Sequence, residues 1–219
     1  MKKITILIYL LLLFGTKNDS IAQPFANEIA AFKKQDSLKM PARGAVLFVG
    51  SSSFRLWKDL EQRFPQKTII NRGFGGSSLP DVKRYLPDIV YPYEPSKIVM
   101  YCGENDFTGP GSDTVTAETV YERFVDVYLS IRVKYPLVPF TYVSIKPSPS
   151  RRHLLPKMAK ANKLIQQYLH YMPHTRFVDV YTKMLDKKGN PMPEIFTRDS
   201  LHMNAKGYDI WQKALKKHL

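Results

Sequence analysis

Hydrophobic positions in this chain fall into short runs separated by longer stretches of helical period. Residues 45–49, 68–71, 97–102, 140–145 and 175–180 read as strands. The first run is apolar at every position, as expected of a parallel strand covered on both faces. Helices are expected over residues 25–39, 52–64, 79–90, 114–135, 155–171 and 205–218. Val120, Phe124, Val127, Tyr128 and Ile131 form one stripe. Ile29, Phe32 and Leu38 are the inward candidates of the first helix, and Asn204 is a good N-cap for the last. Pro41, Pro65, Pro92 and Pro95 interrupt the pattern between elements. Strands alternating with helices at this spacing predict an α/β fold. Its architecture is a three-layer α/β/α sandwich around a mainly parallel five-stranded sheet. No internal repeat or low-complexity linker interrupts it.

Residues 1–22 have a different character. Lys2 and Lys3 precede an almost unbroken apolar run from Ile4 to Phe14, and Ser20-Ile21-Ala22 places small residues at a cleavage position. This is the pattern of a secretory signal peptide. The run is shorter than the ~20 residues a membrane span needs, so cleavage is favoured over an uncleaved anchor helix. Residues 23–219 then form a single domain, exported to the periplasm or outside the cell, with no transmembrane span.

The 219 residues suffice for a real core, and the single cysteine, Cys102, excludes an intramolecular disulfide. It ends an apolar run, where a buried thiol is the ordinary role. Lys and Arg outnumber Asp and Glu by 33 to 19, giving a net charge of +14. The excess is scattered, and such charge favours anionic partners such as acidic polysaccharide or an envelope surface. No nucleic-acid motif accompanies it, so nucleic acid ranks lower.

The chemistry lies at the ends of the strands. The apolar run ending at Val49 stops at Gly50-Ser51-Ser52-Ser53, and a helical segment follows. Such a turn can expose a nucleophilic serine, although serines there more commonly cap a helix. Gly73-Phe74-Gly75-Gly76 suits a turn with positive φ and could aim a bare N–H inward. Asn105 follows a strand and Gly103, where its amide could donate to an oxyanion or simply shape a turn. Glu104 and Asp106 beside it read as structural or solvated. Asp199 and His202 are spaced to meet on one turn, leaving the far imidazole nitrogen free to take a proton. His153, His170, His174 and His218 lack such a context. No Walker sequence, dinucleotide fingerprint or zinc-protease motif is present.

Taken together and in this order, the four stretches resemble the SGNH, or GDSL-like, hydrolases. Gly50-Ser51-Ser52, the block ending at Gly76, Gly103-Glu104-Asn105-Asp106 and Asp199-Ser200-Leu201-His202 match the four family blocks. Ser51 stands where many members carry Asp, and the Gly-Ser-Ser-Ser branch ending in Arg-Leu-Trp is closest to this chain. The resemblance implies a flavodoxin-like fold and a serine hydrolase mechanism. Ser52 would be the nucleophile, His202 the base and Asp199 its orienter. The N–H groups of Ser52 and Gly76 and the Asn105 amide would form an oxyanion hole. No metal or organic cofactor is implied.

The function this suggests is an exported esterase removing a short acyl group, foremost acetyl, from a carbohydrate or a similar small ester. Alternatives are a lysophospholipase or thioesterase for longer chains, an acyltransferase to a sugar acceptor, and a glycan-binding module without turnover. Phe54, Phe74 and Arg151 are candidate substrate contacts, the rings for a sugar or acyl group and the arginine for an anionic group; the rings read equally as core, and Arg151 more readily as part of a solvated loop. Trp57 reads as core.

Overall fold

The structure is a computed structural model, and it describes residues 23–219. The expected signal segment, residues 1–22, lies outside the described residues. No described helix is long and apolar enough to cross a membrane.

Among the described residues, five strands form one all-parallel sheet: β1 (Val46–Gly50), β2 (Ile69–Gly73), β3 (Lys97–Tyr101), β4 (Phe140–Val143) and β5 (Thr175–Val178). Their order is β2-β1-β3-β4-β5. Parallel neighbours cannot be joined by a hairpin, so each connection crosses the sheet face and carries helix with it. The helices are α1 (Ala26–Leu38), α2 (Ser52–Arg55), α3 (Leu60–Arg63), α4 (Leu79–Ile89), α5 (Ala117–Lys134), α6 (Leu155–Tyr171) and α7 (Ala205–Leu215).

The strand period of two divides the core into layers. Leu47, Val49, Ile98, Met100 and Tyr142 face α1, α4, α5 and α6. Val46, Phe48, Val99, Tyr101 and Val143 face α2, α3 and α7. The whole α5 stripe from Val120 to Ile131 is buried as expected. Asn204 caps α7, its side chain accepting from the N–H groups of Lys206 and Gly207.

Three local expectations differ. Residues 52–64 do not form one helix: the chain unwinds between α2 and α3 so that Trp57 enters the core, stacked on Tyr208 with ring centroids 5.0 Å apart. Residues 114–116 precede α5 because Thr116 caps it, accepting from the Thr119 N–H. Leu38 is 80% exposed, whereas Ile29 is buried and Phe32 packs partly buried against the core.

β1 is the point where the strand order reverses, with β2 on one side and β3 on the other. The crevice at the carboxyl ends of the strands at such a switch is where open α/β sheets hold ligands. Gly50 ends β1 at φ +129°, and a Cβ there would lie 1.9 Å from the Tyr101 carbonyl oxygen. Only glycine lets β1 turn out of the sheet this close to β3. The next residue is anchored at once, the Ser51 N–H donating to the Tyr101 carbonyl at 2.9 Å.

Candidate active site

Ser52 opens α2 directly beyond this turn, and its hydroxyl is 3.2 Å from His202 Nε2. The two residues are 150 positions apart in the chain. The other ring nitrogen of His202, Nδ1, lies 2.6 Å from Asp199 Oδ2. The loop before α7 makes this pair locally. Asp199 Oδ1 accepts from the N–H groups of Leu201 and His202, both at 2.9 Å, while Ser200 takes φ +56° to close the turn. The Thr197 hydroxyl also donates to Asp199 Oδ1, at 2.7 Å. Burial alone would raise the Asp199 carboxyl. The hydrogen bonds from the His202 ring, the two backbone amides and Thr197 outweigh it and hold the group well below the usual carboxylate range. Asp199 is therefore an anion facing Nδ1 across neutral pH. The side chains of His202 and Asp199 remain 28% and 49% exposed.

Asn105 arrives from the end of β3. Its Nδ2 donates to Ser51 Oγ at 2.8 Å and to the Ser77 carbonyl at 3.1 Å. Gly76 adjoins it: a Cβ built there would have Asn105 Nδ2 as its nearest atom, at 3.7 Å. The preceding Gly75 is clamped by the N-terminal helix. Its N–H donates to Glu28 Oε2 at 3.0 Å, and a Cβ on it would lie 2.3 Å from the Phe25 ring. Among the described residues, the N–H groups of Ser52 and Gly76 have no hydrogen-bond acceptor. Two backbone donors and one amide thus surround the serine that faces the imidazole.

The structure brings Ser52, Asp199, His202, Gly76 and Asn105 together at one edge of the sheet. The expected substrate contacts fare differently. Phe54 and Phe74 are both 0% exposed and cannot touch a ligand. Phe54 packs among Phe48, Tyr101 and Trp211, and Phe74 sits edge-on to Phe25 and Tyr85. α2 lies against the end of β2 and turns its first aromatic inward, toward the sheet layer under α7. Arg151 turns away from solvent, its Nη2 donating to Asn105 Oδ1 at 2.8 Å.

Sequence reasoning missed what lies beneath. Glu104 is buried, not solvated, and it accepts from the Tyr101 hydroxyl at 2.7 Å, Lys146 Nζ at 2.6 Å and the Ser148 hydroxyl at 2.6 Å. Burial would raise its carboxyl, but the charges of Lys146 and Arg151 draw it below its ordinary value. The available signal was Lys146, a lone charge at the end of the apolar run of β4. Asp106 is buried as well, accepting from the Leu79 N–H at 2.9 Å and from Arg123 at 3.0 Å.

The family model for the GDSL-like Lipase/Acylhydrolase family matches residues 40–210. No curated protein matches the chain. Among solved structures, a protein of Streptococcus pneumonia provisionally described as a platelet activating factor is 23% identical. The match covers 88% of this chain and 91% of that one, with a TM-score of 0.75. A GDSL-like lipase from Bacteroides thetaiotaomicron is 18% identical over 87% of this chain and 96% of its own, with a TM-score of 0.72. A variant of an acetyl-xylooligosaccharide esterase from Geobacillus Stearmophilus is 15% identical over 80% and 94%, with a TM-score of 0.62. At these identities the structural likenesses establish the fold.

Proposed function

The chain belongs to the GDSL-like Lipase/Acylhydrolase family, and on that premise we propose that it is an exported serine esterase removing a short acyl group, foremost acetyl, from a carbohydrate. The observation that carries the catalytic part is the line of contacts from Ser52 Oγ to His202 Nε2 at 3.2 Å and from His202 Nδ1 to Asp199 Oδ2 at 2.6 Å. A serine hydroxyl is a poor nucleophile until a base takes its proton. His202 Nε2 is within reach to do so, and the anionic Asp199 holds the tautomer that leaves Nε2 unprotonated.

The mechanism follows from this arrangement. Ser52 Oγ attacks the ester carbonyl carbon as its proton passes to Nε2. The carbonyl oxygen becomes an oxyanion facing the N–H groups of Ser52 and Gly76 and the Asn105 amide. Collapse expels the alcohol, which takes the proton from His202, and Ser52 is left acylated. Water then enters and attacks the acyl carbon as its proton passes to His202; the bond to Ser52 Oγ breaks, Oγ takes that proton back from His202, and the acid leaves. Each Asn105 amide hydrogen already meets an acceptor, Ser51 Oγ or the Ser77 carbonyl. The oxyanion therefore shares or displaces one of them, and Ser51, standing where many family members carry Asp, is the neutral acceptor most easily released.

The carbohydrate ester is supported by the apolar, cleavable-looking leader in residues 1–22 and by the partial exposure of Ser52, His202 and Asp199. The acetyl-xylooligosaccharide esterase among the structural neighbours is consistent with it. The test is hydrolysis of a p-nitrophenyl ester series from acetate to decanoate, with acetylated xylo-oligosaccharides beside it. Turnover of acetate that vanishes in Ser52→Ala is expected. A preference for chains of eight carbons or more would replace the acetyl reading with the lysophospholipase or thioesterase one. Full activity in Ser52→Ala would remove Ser52 as the nucleophile.

A further inference from the structure

Asn105 can serve an oxyanion only if its amide presents nitrogen and not oxygen. The two orientations are nearly equal in shape, so something else must choose between them. On one side stand Ser51 Oγ and the Ser77 carbonyl, which accept from Nδ2. On the other stands Arg151, whose Nη2 donates to Oδ1 at 2.8 Å. A flipped amide would set its oxygen against the Ser77 carbonyl oxygen and its N–H groups against a guanidinium.

We propose that Arg151 is a positioning residue for the oxyanion site, fixing the Asn105 amide and placing a permanent positive charge behind it. This rests on the ester-hydrolase reading. The guanidinium is itself anchored. Its Nη1 lies 3.3 Å from Glu104 Oε1, close enough for an ion pair although not aligned for a hydrogen bond. Only 14% of the Arg151 side chain is exposed. Glu104 is shared with the buried Lys146, so the cluster of one carboxylate and two cations carries a net positive charge toward the hole. Donation to Oδ1 also polarises the amide and strengthens its Nδ2 donors. The charge has greatest effect in the transition state, when the carbonyl oxygen becomes negative. Arg151 should therefore act on kcat and leave KM nearly unchanged.

The test uses a fluorophosphonate, which reads the serine without knowledge of the substrate. Ser52 Oγ forms a bond to phosphorus, fluoride leaves, and the serine proton passes to His202. The developing charge on the phosphoryl oxygen requires the same donors. Arg151→Met should be labelled roughly 10–100-fold more slowly than wild type, approaching the ~10²–10³ loss typical of a deleted oxyanion donor. kcat on p-nitrophenyl acetate should fall in parallel, with KM unchanged. Arg151→Ala should be partly rescued by millimolar guanidinium ion, which a merely structural role would not allow. Arg151→Lys, which keeps the charge and loses the fork, should fall between wild type and Arg151→Met and covers the case in which the latter fails to fold. Wild-type labelling rates in folded Arg151→Met, or a loss that guanidinium does not rescue, would overturn the proposal while leaving the hydrolase reading intact. Wild type labelled no faster than Ser52→Ala would overturn the hydrolase reading, and the proposal with it.

Discussion

Neutralising Glu104 removes the anion between the buried Lys146 and the partly buried Arg151. Its Oε2 lies 2.6 Å from Lys146 Nζ, and its Oε1 3.3 Å from Arg151 Nη1. With charge centres ~4 Å apart and an effective dielectric near 20, one such attraction is worth about 4 kcal/mol. Neutralisation recovers the cost of burying the carboxylate itself. It leaves the Lys146 ammonium buried, where burial already lowers its proton affinity despite the carboxylate beside it. Removing one partner of a buried pair typically costs about 3–5 kcal/mol. For a domain of this size each kcal/mol shifts the melting temperature by about 2–4 °C, so Glu104→Gln should melt roughly 10 °C below wild type. Circular dichroism melts at pH 7 measure it. Adding Lys146→Met to Glu104→Gln should restore at least half of the loss, because the stranded charge leaves with its partner. A Glu104→Gln protein melting within about 2 °C of wild type would refute the argument, since the cluster would then hold no interacting charges.

Gly50→Ala should prevent folding or cost well over ~4 kcal/mol, because the added methyl would lie 1.9 Å from the Tyr101 carbonyl oxygen, a backbone atom of the neighbouring strand, at a φ of +129°; a soluble variant with a wild-type melt would sink that reading. Gly76→Ala should fold normally, its Cβ meeting nothing closer than Asn105 Nδ2 at 3.7 Å, yet lose turnover as the methyl crowds the hole; undiminished kcat would count against Gly76 as a member of it. Burial is the largest influence on Asp106 and pushes its carboxyl up to about 6, against the partial pull of the Leu79 amide and Arg123. A raised carboxyl pKa means that its contribution to stability is full below the unfolded value of ~3.9 and fades as pH climbs through 6, by about 3 kcal/mol. Melts of wild type and Asp106→Asn from pH 4 to 7 should differ by that slope, and parallel curves would show that Asp106 does not titrate there. Asn105→Ala should lower kcat by ~10²–10³ with little change in the melt, as read by steady-state kinetics beside thermal unfolding.

The layered fold was legible because β1, β3 and β4 are largely apolar runs and α4, α5 and α6 each bury a single stripe, patterns set by local geometry alone. The candidate site was legible for a related reason. Gly50, Gly75 and Gly103 all take positive φ at strand ends or turns, and the chemistry-bearing residues sit beside them. Side-chain direction was less legible where an element is short. Trp57 reads correctly as core, but Phe54 follows the same turn as Ser52, and four helical residues carry no periodicity from which to read its inner face. Their burial depends on Tyr208 and Trp211, which come from α7 at the far end of the chain.

By itself the sequence determined the alternation of strands and helices, the turn that releases the serine, and the Asp199–His202 pair, whose contact spans only three residues. Hydrophobic period and turn chemistry act over a few residues and can be read there. Only the tertiary structure decided that β1 and β3 are neighbours, which sets Asn105 beside Ser51 across 54 positions. It also decided that Glu104 and Lys146 are buried together at the ends of β3 and β4, with Arg151 partly buried against them. A charged residue is buried only where a partner offsets its desolvation, and that partner comes from a distant strand, so no local pattern could announce it.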